Sequence, residues 1–182
     1  MVGRRRPPRY GGSEHRATAA LDIIPFRPRF QSNVLELIVG IQRGEFAIDI
    51  TAEQQPDLHH IPAFYQVRAG NFWVAVVDDR VVGTISLLDI GNQQGALRKM
   101  FVHPDFRGPQ AGTAKRLLDT LLDWARTQEV REIFLGTTAK FLAAHRFYEK
   151  NGFSEISEAS LPPAFPIMAV DTRFFRRRVE AA

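Results

Sequence analysis

Apolar residues recur with a helical period most clearly at Ala114, Leu117, Leu118, Leu121, Leu122 and Ala125, with Lys115, Arg116, Asp119, Asp123 and Arg126 between them. This i, i+3, i+4, i+7, i+8 spacing predicts an amphipathic helix with one face in a core and the other in water. Val34, Leu37, Ile38 and Ile41 repeat the pattern behind Asn33-x-x-Glu36, which has the form of a capping box, and Gly44 supplies a stop. Thr51-x-x-Gln54 has the same form, but Pro56 leaves room for little more than a turn before Pro62 restarts a short helix through Tyr65. A further helix is expected over residues 139–150, ended by Asn151-Gly152.

Runs rich in β-branched and aromatic residues supply the strands. Residues 21–26, 71–77, 80–90 and 94–102 read as four of them, the middle two joined as a hairpin by Asp78-Asp79. Short strands are expected at 133–135, 153–156 and 167–174, the last after the break at Leu161-Pro162-Pro163-Ala164-Phe165-Pro166. The first four form the antiparallel half of a mixed sheet, so the fold class is α/β with a mixed sheet.

Composition changes this picture mainly at the ends. A chain of 182 residues fits one domain with a buried core, taken here as 19–178 with a tail at 179–182. Residues 1–18 mix Arg, Pro, Gly and Ser without apolar periodicity and predict a disordered arm. The formal charge of +4 resides in the first twenty residues, where five arginines face one glutamate, so the remaining chain is balanced. Clustered arginines can bind nucleic acid or an acidic partner by releasing counterions, but without aromatic interleaving the arm reads as a solvated tail. No apolar run is long enough to cross a bilayer, and no apolar segment follows the arginines as in a secretory leader. A cytoplasmic location is the simplest reading. The absence of cysteine excludes disulfides, thiolate nucleophiles and Cys-based metal sites. His59-His60 is not read as a metal pair, since adjacent helical residues diverge and no companion ligands stand nearby.

The stretch from Met100 to Leu118 carries the most chemistry: an apolar strand enters the turn Arg107-Gly108-Pro109-Gln110-Ala111-Gly112 and then the amphipathic helix. Such an arrangement points free backbone N–H groups and a positive helix end at an anion, which makes a phosphate cradle. Taken alone it is also an ordinary strand-to-helix turn. Some thirty residues later stands Phe147-Tyr148-Glu149-Lys150-Asn151-Gly152-Phe153. Together the two segments resemble the GNAT superfamily of N-acetyltransferases, with a strand ending in Val-x-Pro, an Arg/Gln-x-x-Gly-x-Gly/Ala pyrophosphate loop and a later Tyr-Glu-Lys-x-Gly-Phe. Gly112-Thr113-Ala114 matches the loop, whereas Pro109 stands where Arg or Gln is expected and Arg107-Gly108 sits two residues upstream, as in a loop expanded by two.

The resemblance, which covers roughly residues 21–176, implies a GNAT-like acyl-CoA N-acyltransferase fold. It implies acetyl-CoA as acyl donor, an amine acceptor in a small molecule or peptide, and no metal. It places the pantetheine arm against backbone at Met100 and Val102, and the pyrophosphate on Arg107, Gly108, Pro109, Gln110, Ala111, Gly112, Thr113 and Ala114. The Val102 N–H becomes the oxyanion donor and the Tyr148 phenol the acid that protonates the leaving sulfur. The acceptor region then contains Glu45, Phe46, Asp49 and Tyr65, with His59 and His60 beside them. At the strand position where some members carry a glutamate base stands Ala96, leaving Glu45, Asp89 or His103 acting through water, or an amine that arrives neutral. Two other classes stay open: a CoA-binding sensor without turnover, and an adaptor working through the Arg-rich arm. The Phe174-Phe175 pair reads as exposed and leaves a homodimer open.

Overall fold

Alternation along one strand, β2 (Asn71–Val77), sets up the layers of the fold. Phe72, Val74 and Val76 share a core with Phe30, Val34, Ile38, Leu58 and Ile61, whereas Trp73 and Ala75 belong to the opposite core with Leu117, Leu118 and Leu121. A strand apolar on both faces needs helices over both. The structure, a computed structural model, describes residues 20–180 and supplies that cover. On one face lie α1 (Gln31–Gly40), α2 (Pro56–His59) and α3 (Ile61–Phe64), and on the other α4 (Thr113–Thr127) and α5 (Leu142–Lys150). The proposed arm at 1–18 lies outside the described residues.

The seven strands run in the order β1-β2-β3-β4-β5-β7-β6, with β1 at Asp22–Pro25, β3 at Arg80–Gly91, β4 at Gln94–Val102, β5 at Glu132–Thr137, β6 at Ser154–Ile156 and β7 at Arg173–Arg178. Only β4 and β5 pair in parallel; every other neighbour is antiparallel. The hairpin between β2 and β3 turns at Asp78 and Asp79, whose φ angles of 49° and 59° fit the type I′ geometry that matches strand twist. The parallel pair is short: Gln94, Gly95 and Ala96 pair with Glu132, Ile133 and Phe134, and beyond them the strands part.

Three sequence expectations need correction. The first helix is entered through a 3₁₀ turn at Pro28–Phe30 and starts at Gln31, so Asn33 lies inside its first turn and caps nothing. The helix does not stop at Gly44 but widens into a π turn at Ile41–Glu45. The last strand is displaced: Ile167, Met168 and Val170 lie in an exposed loop, and β7 begins at Arg173. Because β7 is inserted between β5 and β6, Phe174 and Phe175 point into opposite cores and are buried, which removes the exposed aromatic pair invoked for a dimer contact.

Candidate active site

The parting of β4 from β5 begins with a bulge. Ser86 of β3 lies opposite Arg98 and Thr84 opposite Phe101, so β4 carries one extra residue, and Lys99 takes a φ of 53° to absorb it. Two fully buried hydroxyls satisfy the displaced carbonyls: Thr84 Oγ1 donates to Lys99 O at 2.7 Å and Ser86 Oγ to Arg98 O at 2.8 Å. Further along, the His103 amide donates to Val82 O, so the Val102–Gly83 pair is of the non-hydrogen-bonded kind. The Val102 N–H and C=O therefore turn away from β3, towards the side from which β5 has withdrawn.

The cleft opened this way encloses about 170 Å³. Leu135, Gly136, Thr137, Phe141 and Tyr148 form its wall on the β5 and α5 side. Gln42, Ile48, Ile50, Gln55, Arg98 and Lys99 form the opposite wall, and Phe165, Met168, Val170 and Asp171 close it from the loop before β7. Both hydrogen-bonding and apolar groups thus converge on one small space. Sites for drug-sized ligands hold roughly 300–1,000 Å³, so this space suits the reacting ends of two molecules rather than either one whole.

Tyr148 is buried, and burial alone pushes its phenol well above the ordinary tyrosine range. Among the described residues its hydroxyl approaches only the Met100 sulfur, at 3.6 Å, a weak acceptor that leaves the proton available. Lys99 is buried with it on the other wall. Its Nζ lies 3.2 Å from Asp57 Oδ2 and donates to Gln55 Oε1 at 2.8 Å, and Gln55 Nε2 donates to Gln42 Oε1 at 2.9 Å. Desolvation lowers the Lys99 ammonium from the ordinary lysine range, partly offset by the Asp57 charge. Arg98 lies over the rings of Phe64 and Tyr65 and donates to the Met168 sulfur at 3.3 Å, and no carboxylate among the described residues pairs with it.

The remaining expected site residues divide. Met100 lines the cleft beside Tyr148, and Val102 lies just past it in β4. Of the expected stretch from Arg107 to Ala114, the loop ends at Gly112, whose φ of 64° is left-handed and suits the N-cap of α4 to glycine, and Thr113 and Ala114 open the helix. The amides of Gly108, Gln110, Ala111, Thr113, Ala114 and Lys115 find no acceptor among the described residues, and the Thr113 hydroxyl is buried without a partner. The unspent amides fit a pyrophosphate. The Arg107 side chain is spent elsewhere: its Nε donates to Val102 O at 2.7 Å and its terminal nitrogens to both Glu45 oxygens at 2.5 and 2.7 Å. This pair holds the Glu45 carboxyl below the usual range.

Glu45 and Phe46 are bridges rather than wall residues. Glu45 ties the π turn to the loop, and Phe46 packs edge-on against Phe141, centroids 4.2 Å apart, tying it to the start of α5. Asp49 is exposed and outside the cleft wall. Tyr65 is fully buried and donates to Asp57 Oδ2 at 2.6 Å, so its place as a direct substrate contact is corrected to one behind the wall. His59 lies against the Ala52 carbonyl, and His145 is held between the Thr138 carbonyl and Arg173. Arg98, Lys99, Gln42, Gln55 and Asp171 were not anticipated. The one signal for any of them is the adjacent pair Arg98-Lys99, which breaks strand alternation where the bulge falls.

With this geometry in view, the chain belongs to the acetyltransferase (GNAT) family, whose model matches residues 38–153. It is 34% identical to N-acetylaspartate synthetase of Xenopus tropicalis over 128 residues, covering 67% of this chain and 46% of that protein. The chain thus spans less than half the length of that relative. An acetyltransferase structure from Staphylococcus aureus Mu50 superposes with a TM-score of 0.84 at 38% identity, covering 88% of this chain and 100% of the other. The Neisseria gonorrhoeae N-acetylglutamate synthase, solved with coenzyme A and N-acetylglutamate, shares the fold with a TM-score of 0.68 at 18% identity, over 89% of this chain and 36% of its own.

Proposed function

We propose that the protein transfers an acetyl group from acetyl-CoA directly to the primary amine of a small molecule that carries a carboxylate. The observation that carries the transfer is the parting of β4 from β5 beyond Ala96 and Phe134, with a desolvated phenol inside the opening. The thioester supplies an electrophilic carbon and a thiolate leaving group. Backbone at Met100 and Val102 runs alongside the acyl arm, and the outward Val102 N–H donates to the carbonyl oxygen as negative charge gathers on it. The Tyr148 phenol donates its proton to the departing sulfur. The open amides from Gly108 to Lys115 hold the pyrophosphate.

Arg98 supports the carboxylate part of the reading. A guanidinium in a cleft wall that forms no salt bridge among the described residues matches a carboxylate ligand in charge and shape. Lys99 is less suited to that part, because Asp57 already balances it. The names of the relatives, an N-acetylaspartate synthetase among them, agree with an acidic amino acid as acceptor.

The test is release of the CoA thiol with amino acids, including aspartate and glutamate, set against the corresponding amines without carboxylates. Turnover is expected with the carboxylates. Arg98→Met is expected to raise the acceptor KM about 10–100-fold, the size of a lost charge-assisted hydrogen bond, without changing the melting-temperature shift caused by acetyl-CoA. Turnover restricted to amines lacking a carboxylate would overturn the acceptor class. No thermal shift with acetyl-CoA would overturn the donor.

A further inference from the structure

Acetyl transfer requires a neutral amine, and the strand position at which the sequence resemblance implies a glutamate base in some family members is Ala96 here, fully buried among apolar side chains. The carboxylates weighed from sequence are occupied. Glu45 is clasped by Arg107, and Asp89 accepts from the amides of Gly91 at 2.7 Å and Ala69 at 3.2 Å. His103 accepts from the Asp105 amide, touches Arg80 and does not line the cleft. Asp57 is shared between Lys99 and Tyr65.

Resting on the function proposed above, we infer that Asp171, in the loop before β7, is the general base that takes the proton from the acceptor ammonium. Asp171 is the one carboxylate among the residues lining the cleft. Its Oδ2 accepts from the Met168 amide at 2.9 Å, which fixes the carboxylate, and its Oδ1 has no hydrogen bond among the described residues. The carboxylate lies directly on β5 at Gly136: a Cβ there would overlap Asp171 Oδ2. A glycine at that point of the parted strand is what lets the acid reach the cleft. Partial burial raises the Asp171 carboxyl above the usual range, opposed by the Met168 amide and by Arg98, which makes it a better proton acceptor than an exposed aspartate. The other charged or titratable groups facing the same space are Arg98 and Lys99 from β4 and Tyr148 from α5; Arg173, two residues on, is committed to Glu155 and His145.

The step balances with these groups. The ammonium gives one proton to the Asp171 carboxylate, and the freed lone pair forms the N–C bond to the acyl carbon as the C–S bond breaks. The sulfur takes the Tyr148 proton, the second nitrogen proton restores the phenol, and the Asp171 proton leaves to water. Arg98 and Asp171 thereby present opposite charges to the two ends of an amino acid.

The test compares wild type, Asp171→Asn and Gly136→Ala across pH 6–10 with two acceptors of the same carboxylate skeleton, an ordinary amine and a hydrazine analogue that is neutral at pH 7. For the amine, Asp171→Asn is expected to lower kcat about 10²–10⁴-fold at pH 7, the usual worth of a general base, with the deficit shrinking as pH approaches the amine pKa. The hydrazine is expected to lose less than tenfold, and Gly136→Ala to behave like Asp171→Asn because it displaces the carboxylate. An unchanged acetyl-CoA thermal shift in both variants reports that they fold and bind the donor. Equal losses with both acceptors at every pH, or a wild-type kcat in Asp171→Asn, would overturn the assignment. Absence of turnover in the wild type overturns the function itself and the assignment with it.

Discussion

Two buried tyrosines show how the partner of a hydroxyl separates structure from chemistry. Tyr65 is sealed in the core and donates to Asp57 at 2.6 Å, as a buried phenol ordinarily must. Tyr148 packs against Phe153 and Phe175 yet reaches nothing better than a thioether. Tyr148→Phe therefore removes little that holds the fold, and its unfolding free energy is expected within about 1 kcal/mol of wild type. The same change is expected to lower kcat by up to about 10²–10⁴-fold while leaving the acetyl-CoA KM in place, since the phenol acts on the departing sulfur and not on binding. Urea unfolding and steady-state kinetics on one preparation check both halves. Wild-type turnover would remove the phenol from the reaction.

The element that makes the site is the bulge of β4, and it depends on two hydroxyls from the neighbouring strand. Thr84→Val keeps the shape of the side chain but leaves the partly buried Lys99 carbonyl without its donor, a loss of about 1–3 kcal/mol. Because the bulge aims Arg98, Lys99 and Met100 into the cleft, acetyl-CoA affinity is expected to fall as well, which isothermal titration at a temperature where the variant remains folded would detect. Much of this architecture was legible in the sequence, because periodicity survives wherever one face of an element is buried: α4, the β2–β3 hairpin and the strand at Gln94–Val102 were all readable. The end of the chain was not. In the apolar run 167–170 Met168 and Val170 line the cleft, and the run imitates a strand, while β7 reads Arg-Phe-Phe-Arg-Arg-Arg and hides a doubly buried strand behind long charged side chains. That misreading also concealed Asp171. Tyr148 and the loop could be read because their motif is local in sequence. The unpaired state of Arg98 could not, since it depends on what four other elements do or do not bring near it.

For the whole molecule, the same burial that prepares the site shapes stability against pH. The phenols of Tyr65 and Tyr148 are both raised by desolvation, so the folded state keeps them neutral where the unfolded chain, with an ordinary value near 10, would ionise them. Their contribution is fully present below pH 10 and is lost as pH climbs from there towards the folded values, at about 1.4 kcal/mol per pH unit for each phenol. Lys99 acts in the opposite sense: its lowered folded value means that the unfolded chain binds the extra proton, so stability rises with pH until both states have lost it near 10.5. Below about pH 10 only Lys99 acts, between there and about 10.5 the two effects oppose each other, and beyond that only the phenols act. Urea midpoints measured between pH 9 and 11.5 should therefore rise gently up to about pH 10 and then drop steeply. In Tyr148→Phe only Tyr65 still titrates in this way, so the slope above pH 10.5 should be about half that of wild type. An unchanged slope would mean that Tyr148 ionises as freely in the fold as outside it, and a phenol that does so is not the desolvated acid on which the proposed transfer relies.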